Sequence, residues 1–193
     1  MAYLWLIVSW IVYFILHSIL ALRSVKDLFY SFGINAQAYR LIFNILAILL
    51  LIPIFLISIK IDSPHIFKPT GLSKFAGLVL ATWGIIVIKL AFKSYSTKAF
   101  LGLRDLQEEQ TFKTDGLLKS VRHPLYSGSI LVILGYFVYD PKIATMVSVT
   151  LMIVYFLVGI QLEEKKLVKM FGEAYLSYKN KTPMLIPRFK SKS

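Results

Sequence analysis

The sequence contains no cysteine and only 3 histidines and 10 acidic residues in 193 positions. Without cysteine there is no disulfide framework, thiolate zinc site, iron–sulfur cluster or cysteine nucleophile. The histidines, at positions 17, 65 and 123, are too scattered to make a ligand-spaced pair, so no metal is expected. Charge of either sign is also scarce, at 17% of residues, whereas 57% are apolar and 15% aromatic, with a mean hydropathy of +0.68. That balance excludes an ordinary water-soluble domain. The apolar residues come in nearly charge-free runs of about 17 to 22, the length that crosses hydrocarbon, which predicts an all-α integral membrane protein.

Five spans are expected, at 2–22, 39–59, 75–92, about 124–139 and 143–160. Only Asp140-Pro141-Lys142 separates the last two, a trio at which a helix must end. The first run lacks a basic n-region and exceeds a signal peptide's apolar stretch, so it reads as a retained helix. No acidic residue interrupts a span and no repeat or pair of broken helices is visible, which argues against a transporter or proton relay. Lys89, near the end of the third span, reads as a snorkelling anchor. Pro53 is expected to kink the second span. Gly77, Ala81 and Gly84 share one face of the third span, and Gly128 and Gly135 one face of the fourth, where backbones can approach closely.

The net charge of +12 matches orientation and anionic lipid better than nucleic acid. With five spans, 17 of the 22 Lys and Arg fall on one face of the membrane, leaving Lys60, Lys68, Lys74 and Lys142 on the other and Lys89 within a span. Basic loops stay cytoplasmic, so the N-terminus is expected outside and the C-terminus inside.

Two polar segments meet that cytoplasmic edge. The first, from Thr114 to Gly128, contains an Asp115-Gly116 turn and opens the fourth span at Pro124, a residue suited to a helix's first turn. Free N–H groups there, beside Arg122 and His123, suit an anionic group such as a carboxylate; the same two residues also read as interface anchors. The second segment begins at Glu163-Glu164-Lys165-Lys166. Leu167, Phe171, Ala174, Tyr175 and Tyr178 then recur at three- and four-residue spacing, predicting an amphipathic helix that lies on the membrane or caps the bundle. Two adjacent carboxylates at a bilayer edge need donors or a cation, which a ribose, ammonium or sulfonium would supply; Glu163 paired with Lys166 one turn on is the plainer alternative. The faces of Tyr126, Tyr175 and Tyr178 would also favour a cationic sulfur.

The pattern Arg122-His123-Pro124-x-Tyr126-x-Gly128, with Glu163-Glu164-x-x-Leu167-x-x-x-Phe171-Gly172-Glu173-x-Tyr175-x-x-Tyr178 and the terminal Pro183 and Ile186-Pro187, resembles the isoprenylcysteine carboxyl methyltransferase superfamily. Phe100-x-Gly102-Leu103-Arg104, Gly159-Ile160-Gln161-Leu162 and Pro183-Met184-Leu185-Ile186-Pro187-Arg188 are closer still to its bacterial methanethiol S-methyltransferase branch. The resemblance covers roughly residues 70 to 190. It implies a single methyltransferase domain over 1–193, with an N-terminal helix pair (1–60) before a catalytic core (70–190), in a bacterial inner membrane. It also implies S-adenosylmethionine as methyl donor, held by Leu118, His123, Pro124, Leu125, Tyr126, Gly128, Glu163, Glu164 and Tyr175.

The chain departs from the family pattern at Leu118, where tyrosine is usual, and at Gly159, where the prenylcysteine enzymes carry a substrate-binding arginine. The second departure favours a small or hydrophobic thiol over a prenylcysteine or other lipid carboxylate. Arg104 and Arg122 are candidate catalytic residues that would favour a thiolate by nearby positive charge. Two other classes compete: a nicotinamide-dependent lipid reductase, and a non-enzymatic scaffold or lipid-binding protein.

Overall fold

The structure, a computed structural model, describes residues 1–94, 112 and 114–188. It is helical: α1 (Ala2–Ala21), α2 (Arg23–Ser31), α3 (Ala36–Lys60), α4 (Gly71–Ser94), a 3-10 turn (Gly116–Lys119), α5 (Pro124–Tyr139), α6 (Ile143–Phe171) and α7 (Glu173–Lys181). No strand occurs among the described residues; an isolated bridge pairs His65 with Lys142. In hydrocarbon every backbone N–H and C=O must be satisfied within the protein, which a helix does within its own segment and lipid-exposed irregular chain does not.

Helices α1, α3, α4 and α6 are long and apolar enough to cross a membrane. α5 is shorter, at 16 residues or roughly 24 Å. Large apolar side chains such as Ile45, Ile48, Phe55 and Ile59 on α3 and Trp83 and Ile85 on α4 stand exposed. Such belts suit the hydrocarbon of a bilayer.

The glycine spacing does what the sequence suggests. A Cβ on Gly77 would lie 2.6 Å from the Gly135 carbonyl oxygen, and one on Gly84 would lie 2.6 Å from that of Gly128. The backbones of α4 and α5 therefore touch directly. Leu6, Trp10, Ile54 and Ala144 form a core where α1, α3 and α6 meet. Trp10 donates its indole N–H to Ser148 Oγ at 3.0 Å, satisfying two buried polar groups at once.

At the end of the bundle where α6 begins, Ser63 accepts from the Tyr3 hydroxyl (3.1 Å) and from the Ala144 N–H (2.9 Å), closing α1, the 61–70 connection and the start of α6 together. Asp140-Pro141-Lys142 forms the expected turn, with Asp140 3.2 Å from Lys142 Nζ and 3.3 Å from His65 Nε2. Pro53 sits within α3, which remains helical from end to end.

Two elements differ from expectation. Residues 23–31, which follow the first span as a connection, form α2, with Arg23 and Asp27 3.8 Å apart across one turn. α6 does not stop at Ile160 but continues three turns beyond the apolar stretch to Phe171. Gly172, at φ +53°, ends it in a backbone conformation that side-chain-bearing residues adopt at a cost, and α7 starts at once. The continuous helix expected over Leu167–Tyr178 is thus two helices.

Candidate active site

The polar end of the bundle is assembled from the start of α5, the last turns of α6, α7 and the segment after it. Arg122 and His123 precede the helix that Pro124 opens, and their backbone N–H groups donate to the carbonyls of Pro183 (2.9 Å) and Met184 (3.1 Å). Ser127 Oγ donates to the Leu185 carbonyl at 2.7 Å. The 183–185 segment is therefore strapped along the start of α5.

Side chains complete the joint around Glu164, which is 3% exposed. Its Oε1 accepts from Arg122 Nε (2.8 Å) and lies 3.1 Å from His123 Nε2; its Oε2 lies 2.7 Å from Lys179 Nζ. Arg122 Nη1 donates to the carbonyls of Lys179 (3.0 Å) and Thr182. Burial pushes the Glu164 carboxyl up, but the bonds from Lys179, Arg122 and His123 outweigh that and hold it at about 2. α7 is further anchored by the Tyr178 hydroxyl, which donates to the Leu118 carbonyl at 2.6 Å.

Glu163, one residue before this hub, has a different environment. Its side chain is 45% exposed, with Oε2 3.8 Å from His123 Nδ1. The Tyr126 ring packs edge-on against His123 and Phe156, and its hydroxyl faces Gly159, where a Cβ would lie 3.3 Å from it. Tyr175 is 1% exposed, in ring contact with Phe112 and Tyr178, and its hydroxyl has no hydrogen-bond partner among the described residues. Burial, with the Glu164 carboxylate nearby, pushes that hydroxyl's pKa up, so it stays a donor.

Of the residues singled out by sequence, Leu118, Arg122, His123, Pro124, Leu125, Tyr126, Glu163, Glu164 and Tyr175 lie on the elements that form this end of the bundle. Gly128 does not serve it directly, since its open face is filled by Gly84 and Ile88 of α4. Arg104 lies outside the described residues. Lys179 and the carbonyls of Lys179 and Thr182 were not foreseen: a backbone acceptor has no residue signature, and Lys179 is one of many lysines in a basic tail. No group of His, Asp or Glu among the described residues has the arrangement of a metal site.

A methanethiol S-methyltransferase of Pseudomonas sp. strain GM41 is 29% identical over 180 residues, which are 89% of this chain and 68% of that protein. Methanethiol S-methyltransferase 1 of Bradyrhizobium diazoefficiens is 32% identical over 181 residues, 89% of this chain and 62% of the relative. A methanethiol S-methyltransferase of Crocosphaera subtropica is 45% identical over 84 residues, 42% of this chain and 31% of the relative. This chain thus spans about two thirds of the first two and less of the third. No solved structure matches it significantly. Residues 72–174, from the start of α4 to the start of α7, match the family described as phospholipid methyltransferase, and the chain belongs to that family.

Proposed function

We propose that the chain is an integral-membrane methyltransferase that methylates a small, apolar thiol with S-adenosylmethionine as donor. The observation that carries this reading is the contrast between two neighbouring carboxylates. Glu164 has three donors of its own, while Glu163 is half exposed beside a buried Tyr175 hydroxyl with no hydrogen-bond partner among the described residues. A half-exposed carboxylate and a buried hydroxyl donor in one polar corner fit a ligand carrying both an ammonium or ribose and hydrogen-bond acceptors. The three relatives bear the name methanethiol S-methyltransferase, which supports the thiol.

When bound, S-adenosylmethionine supplies an already activated methyl group, so little acid–base chemistry is asked of the protein beyond the thiol's proton. Glu163 and Tyr175 would hold the cofactor, with His123, Tyr126 and the first-turn backbone of α5 around it. Glu164 and Arg122 act differently: engaged with each other and with Lys179, they fix the relative positions of α5, α6 and α7. Alignment of donor and acceptor is the main catalytic device of such a site.

This polar end is read as cytoplasmic, with the N-terminus outside, α5 as a fifth span and α7 as a cap on the bundle, in a bacterial inner membrane. The core over 70–190 would hold the cofactor, and the 1–60 pair packs beside it. The decisive experiment is calorimetric titration of the purified protein with S-adenosylhomocysteine and with NADPH, followed by methyl-transfer assays on methanethiol and on a farnesylated cysteine with a free carboxylate. Binding of S-adenosylhomocysteine alone and formation of the thioether are expected. Glu163→Gln should weaken S-adenosylhomocysteine by about 1–3 kcal/mol. Binding of NADPH instead, or esterification without thioether formation, would overturn the enzyme class or the acceptor respectively.

A further inference from the structure

A second polar cluster lies inside the bilayer-facing part of the molecule. Tyr155 Oη on α6 is 2.9 Å from His17 Nδ1 and 3.0 Å from Ser18 Oγ, both near the end of α1. The Tyr155 ring is stacked on Phe14 with centroids 4.2 Å apart and planes within 6°, which fixes where the hydroxyl points. His17 packs against Tyr13 of its own helix and Phe43 of α3, so Tyr155 and Tyr13 are the titratable groups that face it. Beside the pair is an open groove of about 340 Å³ lined by Ile11, Phe14, Ile15, Ser18, Ile19 and Tyr155. An imidazole and two hydroxyls are costly in an apolar wall, and their hydrogen bonds to one another, which join α1 to α6, offset part of that cost.

Their position along α6 supplies a reason. Tyr155, Gly159 and Glu163 are four residues apart and so follow one face of the helix, over about 12 Å. At the first level stands His17, at the second the Tyr126 hydroxyl against Gly159, and at the third His123 against Glu163. Tyr155, which lines the apolar groove, thus stands on the same face of α6 as Glu163 and about two turns from it, with the Tyr126 hydroxyl between them.

We propose that the groove admits the thiol and that the Tyr155 hydroxyl, backed by His17, accepts its proton. This rests on the reading of the chain as a thiol methyltransferase. The thiol's S–H bond is exchanged for an S–CH3 bond, and the electron pair of the broken C–S bond stays on the donor sulfur. The thiol proton passes to Tyr155 Oη as the Tyr155 proton passes to His17 Nδ1. The positive charge that was on the donor sulfur ends on the imidazole, and the thioether leaves neutral. Tyr155 is catalytic, since it meets the substrate; His17 is a positioning and proton-storing residue acting through it.

The test compares ethanethiol, whose proton must be removed, with thiophenol, which is largely ionised at neutral pH, in protein reconstituted into nanodiscs. Tyr155→Phe and His17→Asn should each lower kcat for ethanethiol by about 100-fold, the scale of a lost general base, and for thiophenol by under about threefold. Unchanged affinity for S-adenosylhomocysteine would certify each variant's fold. A readout without cofactor is the infrared S–H band of bound ethanethiol, expected to move to lower frequency in the wild type and to stay near its free value in Tyr155→Phe. Equal losses on both thiols, or an S–H band indifferent to Tyr155, would overturn the relay while leaving the methyltransferase intact. A wild-type protein that methylates neither thiol would remove the thiol reading itself, and the relay with it.

Discussion

Glu164→Gln keeps the shape of the hub and removes its charge. In the wild type the carboxyl is held at about 2, against an ordinary 4.5, which corresponds to about 3 kcal/mol of stabilisation at neutral pH. A similar figure follows from the partners. Lys179, 38% exposed, can return its ammonium to water, but Arg122, 9% exposed, would keep a buried guanidinium facing a neutral amide, and breaking a buried pair from one side costs about 3–5 kcal/mol. The loss should be local, because Arg122 also holds the Lys179 and Thr182 carbonyls. Hydrogen exchange by mass spectrometry on peptides covering 173–186 should show protection lowered by about 100-fold, the equivalent of that energy, while α4 and α5 change little. The pH dependence has a definite sign. A carboxyl depressed on folding stabilises fully above 4.5 and loses its contribution as pH falls towards 2, so wild-type protection of this segment, corrected for intrinsic exchange, should decline over that window. The variant should lack the decline. Equal protection in both proteins at pH 7, or an identical acid response, would refute the assignment of Glu164 as the clamp.

Gly135→Ala places a methyl 2.6 Å from the Ala81 nitrogen and the Gly77 oxygen, backbone atoms that cannot turn aside, so α4 and α5 must separate at a cost of about 1–3 kcal/mol; an unshifted thermal transition would show that the helices are not in direct contact. Tyr175→Phe removes a hydroxyl that has no partner among the described residues, so stability should hold or rise by about 1 kcal/mol while S-adenosylhomocysteine binds about tenfold more weakly, and the reverse pattern in calorimetry would assign the hydroxyl a structural role. A reporter fused after Ser193 should be active only in the cytoplasm; activity outside would invert the proposed orientation.

What the sequence made legible, and what it hid, follows the kind of physics involved. Gly77, Ala81, Gly84, Gly128 and Gly135 marked the contact faces of α4 and α5, though not that these faces meet each other, because close approach has one residue signature, the missing side chain. The extension of α6 past Ile160 was missed because polarity marks the end of a span, not of a helix, and Gln161-Leu162-Glu163-Glu164-Lys165-Lys166 are all good helix formers. α2 was missed because nine residues rarely hold a helix alone, so its existence rests on its neighbours. At the polar end, Arg122-His123 and Glu163-Glu164 were singled out by type and motif, but not which glutamate meets which partner. That distinction depends on the helical phase of α6, which turns Glu164 inward and leaves Glu163 half exposed. The His17–Tyr155 contact joins residues 138 apart, beyond any local pattern.

Glu164 also shows what a negative charge needs at this boundary. Three donors, two of them cations, surround it before burial becomes favourable. An acceptor bearing a carboxylate and approaching along the Tyr155–Gly159–Glu163 face would need a comparable set, and the cations of this cluster, Arg122 and Lys179, are already bound to Glu164. Gly159 adds no donor, and Tyr126 offers one hydroxyl. A neutral thiol has no such requirement: it can cross from lipid into an apolar groove without desolvating a charge, and asks only for somewhere to leave a proton. The side of the site nearest the bilayer holds an imidazole and two hydroxyls and, among the described residues that line the groove, no cation, which suits the second acceptor better than the first.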